Sequence, residues 1–485
     1  MDRRNPLHCL VPDYVLREVA KRGGVEHREA ALDTLGLSAT LRGARTQAEA
    51  RRAAIGPARP AAAALKKPQV NRLIRNAENG EDLNSPIVRQ EGDPKTGNDA
   101  VDEAFEYFGT TWDFWFEVYA RNSIDGAGLT LDGVVRYSQN FDNAFWDGDQ
   151  MIFGDGSGQT FTRLTQSLSV CAHELGHGVI QYDGPLDYQG ESGALNEHYA
   201  DAFGAMVDQW RNGDTAEDAD WLIGKEILAE GVNGKALRSM KEPGTAYDDD
   251  LLGTDPQPGH MDDFVETFDD NGGVHINSGI PNKAFYELAV ALGGHSWEAA
   301  GRIWYTALGN PQLRATSGFR RFARLTQRVA SQLYGASKVD AVEAAWDTVG
   351  VPRQREAPRG RRRGRRPRRS CEHSGVAKPA GLRLSFRRSG GVFAGNVLAA
   401  SVSVDELDDK TARELEELVS QANLPALADR SPISGPGADV YQYEIVLEHD
   451  GPPQRVLVQQ TAVPDELRPL IQWLEQRAQA ERRRG

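Results

Sequence analysis

The stretch CAHELGH, residues 171–177, decides how the rest of this chain is read. On a helix, His173 and His177 leave the same face one turn apart. Glu174 follows the first of them and points about 100° further round the helix, beside whatever the histidines hold rather than onto it. The alternative is a core helix in which Leu168, Ala172, Leu175 and Val179 pack while the histidines bond to backbone. The heptapeptide alone leaves both readings open.

The following residues weigh the choice. GALNEHYADAF (193–203) reads as a second helix carrying Glu197, and its neighbours Asn196 and Asp201 can accept hydrogen bonds from ring N–H groups turned away from a metal. Two histidines and one carboxylate leave a fourth position for water, which is the arrangement of a catalytic rather than a structural zinc. His198, His260 and His295 carry no motif and read as structural.

The chain has 485 residues, more than one core normally serves, so several domains are expected. No apolar run is long enough to span a membrane. The start is charged and lacks an apolar signal core, which predicts cytoplasmic synthesis, with any export by a nonclassical route. Cys9, Cys171 and Cys371 are odd in number and widely spaced, so no disulfide framework is expected. Charge is uneven: residues 352–370 hold ten arginines and one glutamate, so everything else carries −23 of a total of −14. Such a strap stays solvated and can contact nucleic acid or another anionic surface nonspecifically through phosphates.

Four parts follow from composition and periodicity. Residues 1–65 hold a short amphipathic segment, VPDYVLREVAKRG (11–23), and an Ala/Arg-rich stretch, TQAEARRAAIGPARPAAAALKKP (46–68), that reads as an exposed linker. Residues 66–351 are an α+β unit, strand-like at first and helical after Leu164. Residues 352–378 are the arginine strap, and 379–485 a small α+β domain.

With these residues in place, the main unit resembles the thermolysin family of zinc endopeptidases, particularly its protealysin-like branch. The resemblance rests on NAFWDG (143–148), HELGH (173–177), Tyr188, GALNEHYAD (193–201), ALRSM (236–240) and DNGGVHINSGIPNKAFY (270–286). It implies a two-lobed fold, β-rich then α-helical, with a cleft between the lobes. It also implies one zinc ion held by His173, His177 and Glu197, and Glu174 as general base. His275 and Tyr188 would stabilise the oxyanion, with Asp270 orienting His275; donors so placed give ~10²–10³ in rate each. Arg238, Asn143 and the backbone at Ala144 would grip an extended peptide substrate. Phe161, Leu164, Val170, Ile223 and Leu237 would line a pocket for a bulky apolar side chain, implying cleavage on its amino side.

Family members bind calcium through acidic residues, and those positions are depleted here. Ser169, Leu222, Lys225 and Lys235 stand where carboxylates are expected, while Asp208 and Asp220 remain. Lys225 is expected to pair with Asp208 or Asp220 in place of Ca²⁺. Residues 8–24 resemble the short propeptide of protealysin-like zymogens, with Asp13 in place of the second proline of an IPPY-type motif. Cys9 there reads as a small apolar residue rather than a zinc ligand. Residues 381–475 resemble emfourin-like inhibitors of protealysin-type proteases, on LRLSFRRSGGVFAG (382–395) and AVPDELRPLIQWL (462–474), which implies an inhibitor tethered to its own enzyme.

Overall fold

A computed structural model of the chain describes residues 8–55, 68–267 and 269–351, and, towards the C-terminus, 382–390, 398–404, 407–422, 424, 427, 441–448, 454–459, 463–464 and 466–482. It divides into two units, Met1–Pro358 and Arg359–Gly485. The arginine strap lies outside the described residues.

The first unit opens with a two-residue strand, β1 (His8–Cys9), and two helices, α1 (Asp13–Arg22) and α2 (Val25–Ile55). Of the stretch expected as a linker, residues 46–55 continue α2 and residues 56–67 lie outside the described residues. Ala, Arg, Glu and Gln are strong helix formers, and no proline interrupts the chain until Pro57. Ala30, Ala31, Thr34, Ser38 and Leu41 recur at helical spacing and are buried.

The β-rich lobe follows: β2 (Arg72–Asn76), β3 (Ile87–Gln90), the aromatic-rich α3 (Asp99–Tyr119), β4 (Leu131–Val135), β5 (Ala144–Trp146) and β6 (Met151–Phe153). They form one mixed sheet in the order β1-β5-β6-β4-β2-β3. The N-terminal strand is thus added to the edge at β5, antiparallel, with His8 opposite Trp146 and Cys9 opposite Phe145.

Two long helices come next, α4 (Leu168–Asp183) and α5 (Gly190–Asn212). Residues 168–180 of α4 are buried on every side, as befits a helix that runs through the centre of a fold. Short ladders pair β7 (Leu222–Ile223) with β8 (Arg238–Ser239) and β9 (Asp248–Asp249) with β10 (Gly253–Thr254). Helices α6 (Asp270–Asn277), α7 (Gly279–Leu292), α8 (Ala299–Leu308), α9 (Phe319–Tyr334) and α10 (Val339–Thr348) complete the helical lobe.

How closely α4 and α5 approach is set by missing side chains. A Cβ at Gly204 would lie 2.6 Å from the Ser169 carbonyl oxygen, and one at Gly176 would lie 3.3 Å from the Ala200 Cα. The second unit has its own core. β11 (Arg383–Gly390), β12 (Leu398–Ser403), β13 (Tyr441–Glu448) and β14 (Gln454–Gln459) form an antiparallel sheet ordered β12-β11-β13-β14. Leu384, Phe386, Tyr443, Ile445, Leu447, Val456 and Val458 alternate onto one face. They share a core with Leu415 and Val419 of α11 (Asp409–Ala422) and with Leu470 and Leu474 of the closing helix Arg468–Arg482.

A methyl group at Gly204 should push α5 off α4. Gly204→Ala is expected to cost about 1–3 kcal/mol of stability in denaturant unfolding. Gly36→Ala, in open space within α2, should instead stabilise by about 0.5–1 kcal/mol.

Candidate metal centre and cleft

The close approach of α4 and α5 brings three donors together. His173 Nε2 and His177 Nε2 are 3.1 Å apart, and the Glu197 carboxylate lies 3.6 Å from the first and 3.5 Å from the second. On the far side of each ring an acceptor waits: Asp201 Oδ1 is 2.9 Å from His173 Nδ1, and Asn196 Oδ1 is 3.0 Å from His177 Nδ1. These partners place the ring hydrogens on Nδ1 and turn both Nε2 lone pairs towards each other. Two lone pairs and a carboxylate, all buried, converge with no hydrogen between the rings. Such a set is stable around a cation, and N₂O donors at this spacing suit zinc. Among the described residues no other group of three such side chains converges.

Glu174 is fully buried and neither carboxylate oxygen has a hydrogen-bond partner. Burial, then the neighbouring Glu197 charge, push its pKa well above the usual carboxylate range.

His275 approaches from α6. Asp270, Asn271, Gly272 and Gly273 all take left-handed backbone angles, with φ of 53°, 52°, 84° and 73°. For the two non-glycine residues this costs about 1–2 kcal/mol each. The turn lets the Asp270 carboxylate fold back onto its own chain, accepting from the His275 N–H at 2.8 Å and meeting Nδ1 at 2.6 Å. His275 Nε2 donates to the Cys9 carbonyl oxygen at 2.8 Å. Both ring nitrogens face acceptors, so the ring is a double donor. Burial opposes its charge, but Asp270 and Glu197 outweigh burial and lift its pKa to about 9. Tyr188 donates a very short hydrogen bond to Glu197 and lies 3.3 Å from His275 Nε2. Gly193 permits this closeness, since a Cβ there would lie 2.8 Å from the Tyr188 carbonyl carbon and 2.4 Å from Val274 Cγ1.

The cleft holds the chain's own N-terminal segment. The Leu10 N–H donates to the Ala144 carbonyl oxygen at 3.0 Å, and Arg238 Nη1 donates to the Leu10 carbonyl oxygen at 3.0 Å. Asn143 takes both ends of the next residue: Oδ1 accepts from the Val11 N–H at 2.9 Å and Nδ2 donates to the Val11 carbonyl oxygen at 3.0 Å. Arg238 is anchored by three bonds to Asp201, of 2.8, 3.0 and 3.2 Å. Leu10 is fully buried and joins the same core as Phe161, Leu164, Val170, Ile223 and Leu237. The Cys9 side chain turns the other way, into a cluster with Leu41, Val134, Tyr137, Phe141, Phe145 and Ile152. Burial pushes its thiol up to about 12, so it is a protonated, apolar packing group.

His173, His177, Glu197, Tyr188, His275 and Asp270 are thus linked by contacts with one another, and Asn143, Ala144 and Arg238 by their bonds to the N-terminal segment. His198, read from sequence as structural, is a fully buried histidine bonded at 2.8 Å to Asn282 and at 2.7 Å to Trp304. No sequence pattern marks those partners, which lie 84 and 106 residues away.

Comparison with known proteins now bears on this geometry. Residues 74–181 match the model of the thermolysin metallopeptidase catalytic domain, and 184–351 that of its alpha-helical domain. The chain belongs to the thermolysin metallopeptidase family. Residues 386–475 match Emfourin. The chain is 47% identical over 354 residues to an extracellular metalloprotease of Pectobacterium carotovorum, covering 73% of this chain and 99% of that protein. It is 48% identical over 284 residues to protease PrtS of Photorhabdus, covering 58% of this chain and 76% of that protein. Among solved structures it resembles the precursor of protealysin, a metalloproteinase from Serratia proteamaculans. That likeness has 44% identity and a TM-score of 0.65, over 71% of this chain and all of that one. The family uses catalytic zinc, and His173, His177 and Glu197 are the site that fits it.

Lys225 Nζ lies 2.8 Å from Asp220 Oδ2 and 3.8 Å from Glu226 Oε1. Burial raises the Asp208 carboxyl to about 6, against the pull of Lys225. An ammonium therefore supplies the positive charge this acidic corner calls for. Millimolar Ca²⁺ is expected to leave the melting temperature within about 1 °C; a rise of several degrees would indicate a calcium site.

Proposed function

We propose that this protein is the zymogen of a zinc endopeptidase that cuts on the amino side of bulky apolar residues, and that residues 9–11 lie in its cleft as a substrate would. One observation carries the proposal: the backbones of Cys9, Leu10 and Val11, which continue from β1, are bonded in succession by His275, by Arg238 and by Asn143, and the Cys9 carbonyl sits beside the metal ligands. Zinc held by His173, His177 and Glu197 would supply a Lewis acid for water and for the scissile carbonyl. The protein groups do the rest. Glu174, buried and unbonded, takes a proton as water attacks and hands it to the leaving amine. His275, held by Asp270, donates to the carbonyl oxygen as negative charge grows there, and the Tyr188 hydroxyl, which lies 3.3 Å from His275 Nε2 and donates to Glu197, turns from that carboxylate to add a second donor. Arg238, Asn143 and the Ala144 carbonyl grip the leaving-group side by its backbone, so sequence matters little there. Preference comes from the apolar pocket: burying a leucine side chain stabilises by about 1.5–3 kcal/mol.

We read the C-terminal unit as an inhibitor of this same cleft acting in cis. The Emfourin match supports it, and a tether of this kind gives a local concentration on the order of millimolar. The rival role is an accessory module that binds nucleic acid or another anionic surface through the arginine strap. Of the two locations expected from sequence, export is favoured by relatives described as extracellular. Among the described residues no helix is long and apolar enough to cross a membrane.

The test is hydrolysis of a peptide series by four proteins. In the full chain, Leu10→Asp should release the N-terminal segment and raise activity at least about tenfold. Adding Glu174→Gln should abolish that activity while zinc stays bound. Removing residues 353–485 from Leu10→Asp should raise it further, whereas equal activity would remove the cis-inhibitor role. Peptides with Leu after the cut should exceed those with Asp by about 10–100-fold in kcat/KM.

A further inference from the structure

Behind the metal ligands runs a line of buried polar groups that ends on one of them, His173. Trp304 Nε1 donates to His198 Nε2 at 2.7 Å. His198 Nδ1 meets Asn282 Oδ1 at 2.8 Å. Asn282 Nδ2 donates to Asp201 Oδ2 at 2.9 Å. Asp201 Oδ1 meets His173 Nδ1 at 2.9 Å. The groups come from α8, α5, α7, α5 and α4 in turn, and His173, His198, Asp201 and Asn282 are all fully buried.

The direction of every bond is fixed by the two ends of the line, an indole that only donates and a carboxylate that only accepts. An indole N–H can only donate, so His198 Nε2 must present its lone pair. The ring's hydrogen is then on Nδ1, where it meets the carbonyl oxygen of Asn282. That orientation leaves the Asn282 NH₂ to face Asp201. Asp201 accepts from Asn282 on one oxygen and from His173 Nδ1–H on the other, which leaves the His173 Nε2 lone pair facing the metal position. The same carboxylate carries Arg238, the donor to the Leu10 carbonyl. Asp201, an acceptor on both oxygens, thus holds a metal ligand and a substrate grip, and the run from Trp304 through His198 and Asn282 ends on that same carboxylate and holds it in place.

We propose that His198, Asn282 and Trp304 are positioning residues that set zinc affinity by fixing Asp201. This rests on the zinc-site reading above. A core that only needed filling would place apolar side chains here, because buried polar groups stabilise only when all are satisfied. Here each is satisfied, and the chain ends on a ligand rather than on backbone.

The measurement is zinc affinity of the full-length protein, by competition with a chromogenic chelator, together with the visible absorption of the cobalt-substituted protein. His198→Leu and Asn282→Leu are each expected to weaken zinc about tenfold or more and to alter the cobalt spectrum. His198→Gln should restore most of the affinity, because its amide can accept from Trp304 and donate to Asn282. Trp304→Phe should weaken zinc with its ring packing kept. Trp346→Phe is the control for lost core volume: that indole stacks on Trp304 at 5.9 Å but bonds to Thr326 Oγ1 instead. It should bind zinc as the wild type does. Should either leucine variant not fold, Trp304→Phe against Trp346→Phe decides. Variants that bind zinc like the wild type, whatever their melting temperature, would overturn the positioning role, as would equal losses in the two Trp→Phe variants. A wild-type protein that takes up no zinc would instead overturn the underlying site.

Discussion

The Asp201 carboxylate is the group on which the rest of this site depends. It is fully buried, and burial alone would neutralise it, yet Arg238 and His173 outweigh that cost and hold it well below the usual carboxylate range. An isolated carboxylate in such a place would be expensive by several kcal/mol. Paired with a guanidinium and satisfied by His173 and Asn282, it becomes a rigid post instead. One oxygen orients a ring that faces the metal position. The guanidinium it anchors reaches the strand lying in the cleft. The metal position and the N-terminal segment are thereby tied to one another through a single side chain.

The cleft works because the sheet has an unfinished edge. β5 offers its carbonyls to an added strand, and β1 takes them. Backbone pairing of this kind accepts many sequences. In the N-terminal segment the backbone pairs, and Leu10 fills apolar space. It is held there from outside the cleft as well. Arg42 of α2 makes a bidentate contact with Asp13 at 3.1 and 2.9 Å, so the long helix clasps the short one. Asp13, which departs from the proline of the expected motif, sits in the first turn of α1, where a negative charge is favoured and where it meets that arginine.

What could be read from sequence was whatever is local or periodic. His173 and His177 lie one turn apart on any helix, and Glu197 with Asn196 and Asp201 lies on the next. The alternation of Leu384 and Phe386, or of Ile445 and Leu447, likewise announces strands with one buried face. Two kinds of feature escaped. The first is helix without an obvious buried face: the Ala/Arg-rich part of α2 has the composition of a linker and the propensity of a helix, and propensity prevailed. The second is contact across long separations. Val11 meets Asn143 at a distance of 132 residues, and His198 meets Trp304 at 106. The left-handed run at Asp270–Gly273 is only half legible, since paired glycines announce a tight turn but not that Asp270 joins it.

Four buried histidines within this one lobe show how partner type, rather than burial, sets the role of an imidazole. His173 and His177 each have an acceptor at Nδ1, so both present lone pairs from Nε2. His198 has a donor at Nε2 and an acceptor at Nδ1, so it must be neutral with one defined hydrogen, and burial lowers its pKa to about 4. His275 has acceptors at both nitrogens and carries charge. Burial disfavours that charge as it does in His198, but two carboxylates reverse the balance and lift the pKa to about 9. A ring that binds a cation, a ring that transmits orientation and a ring that meets negative charge are thus made from one residue type. Exchanging their partners would exchange their functions, and for that reason the bonds made by Asp201, Asn196, Trp304 and Asp270 matter as much to the chemistry as the rings themselves.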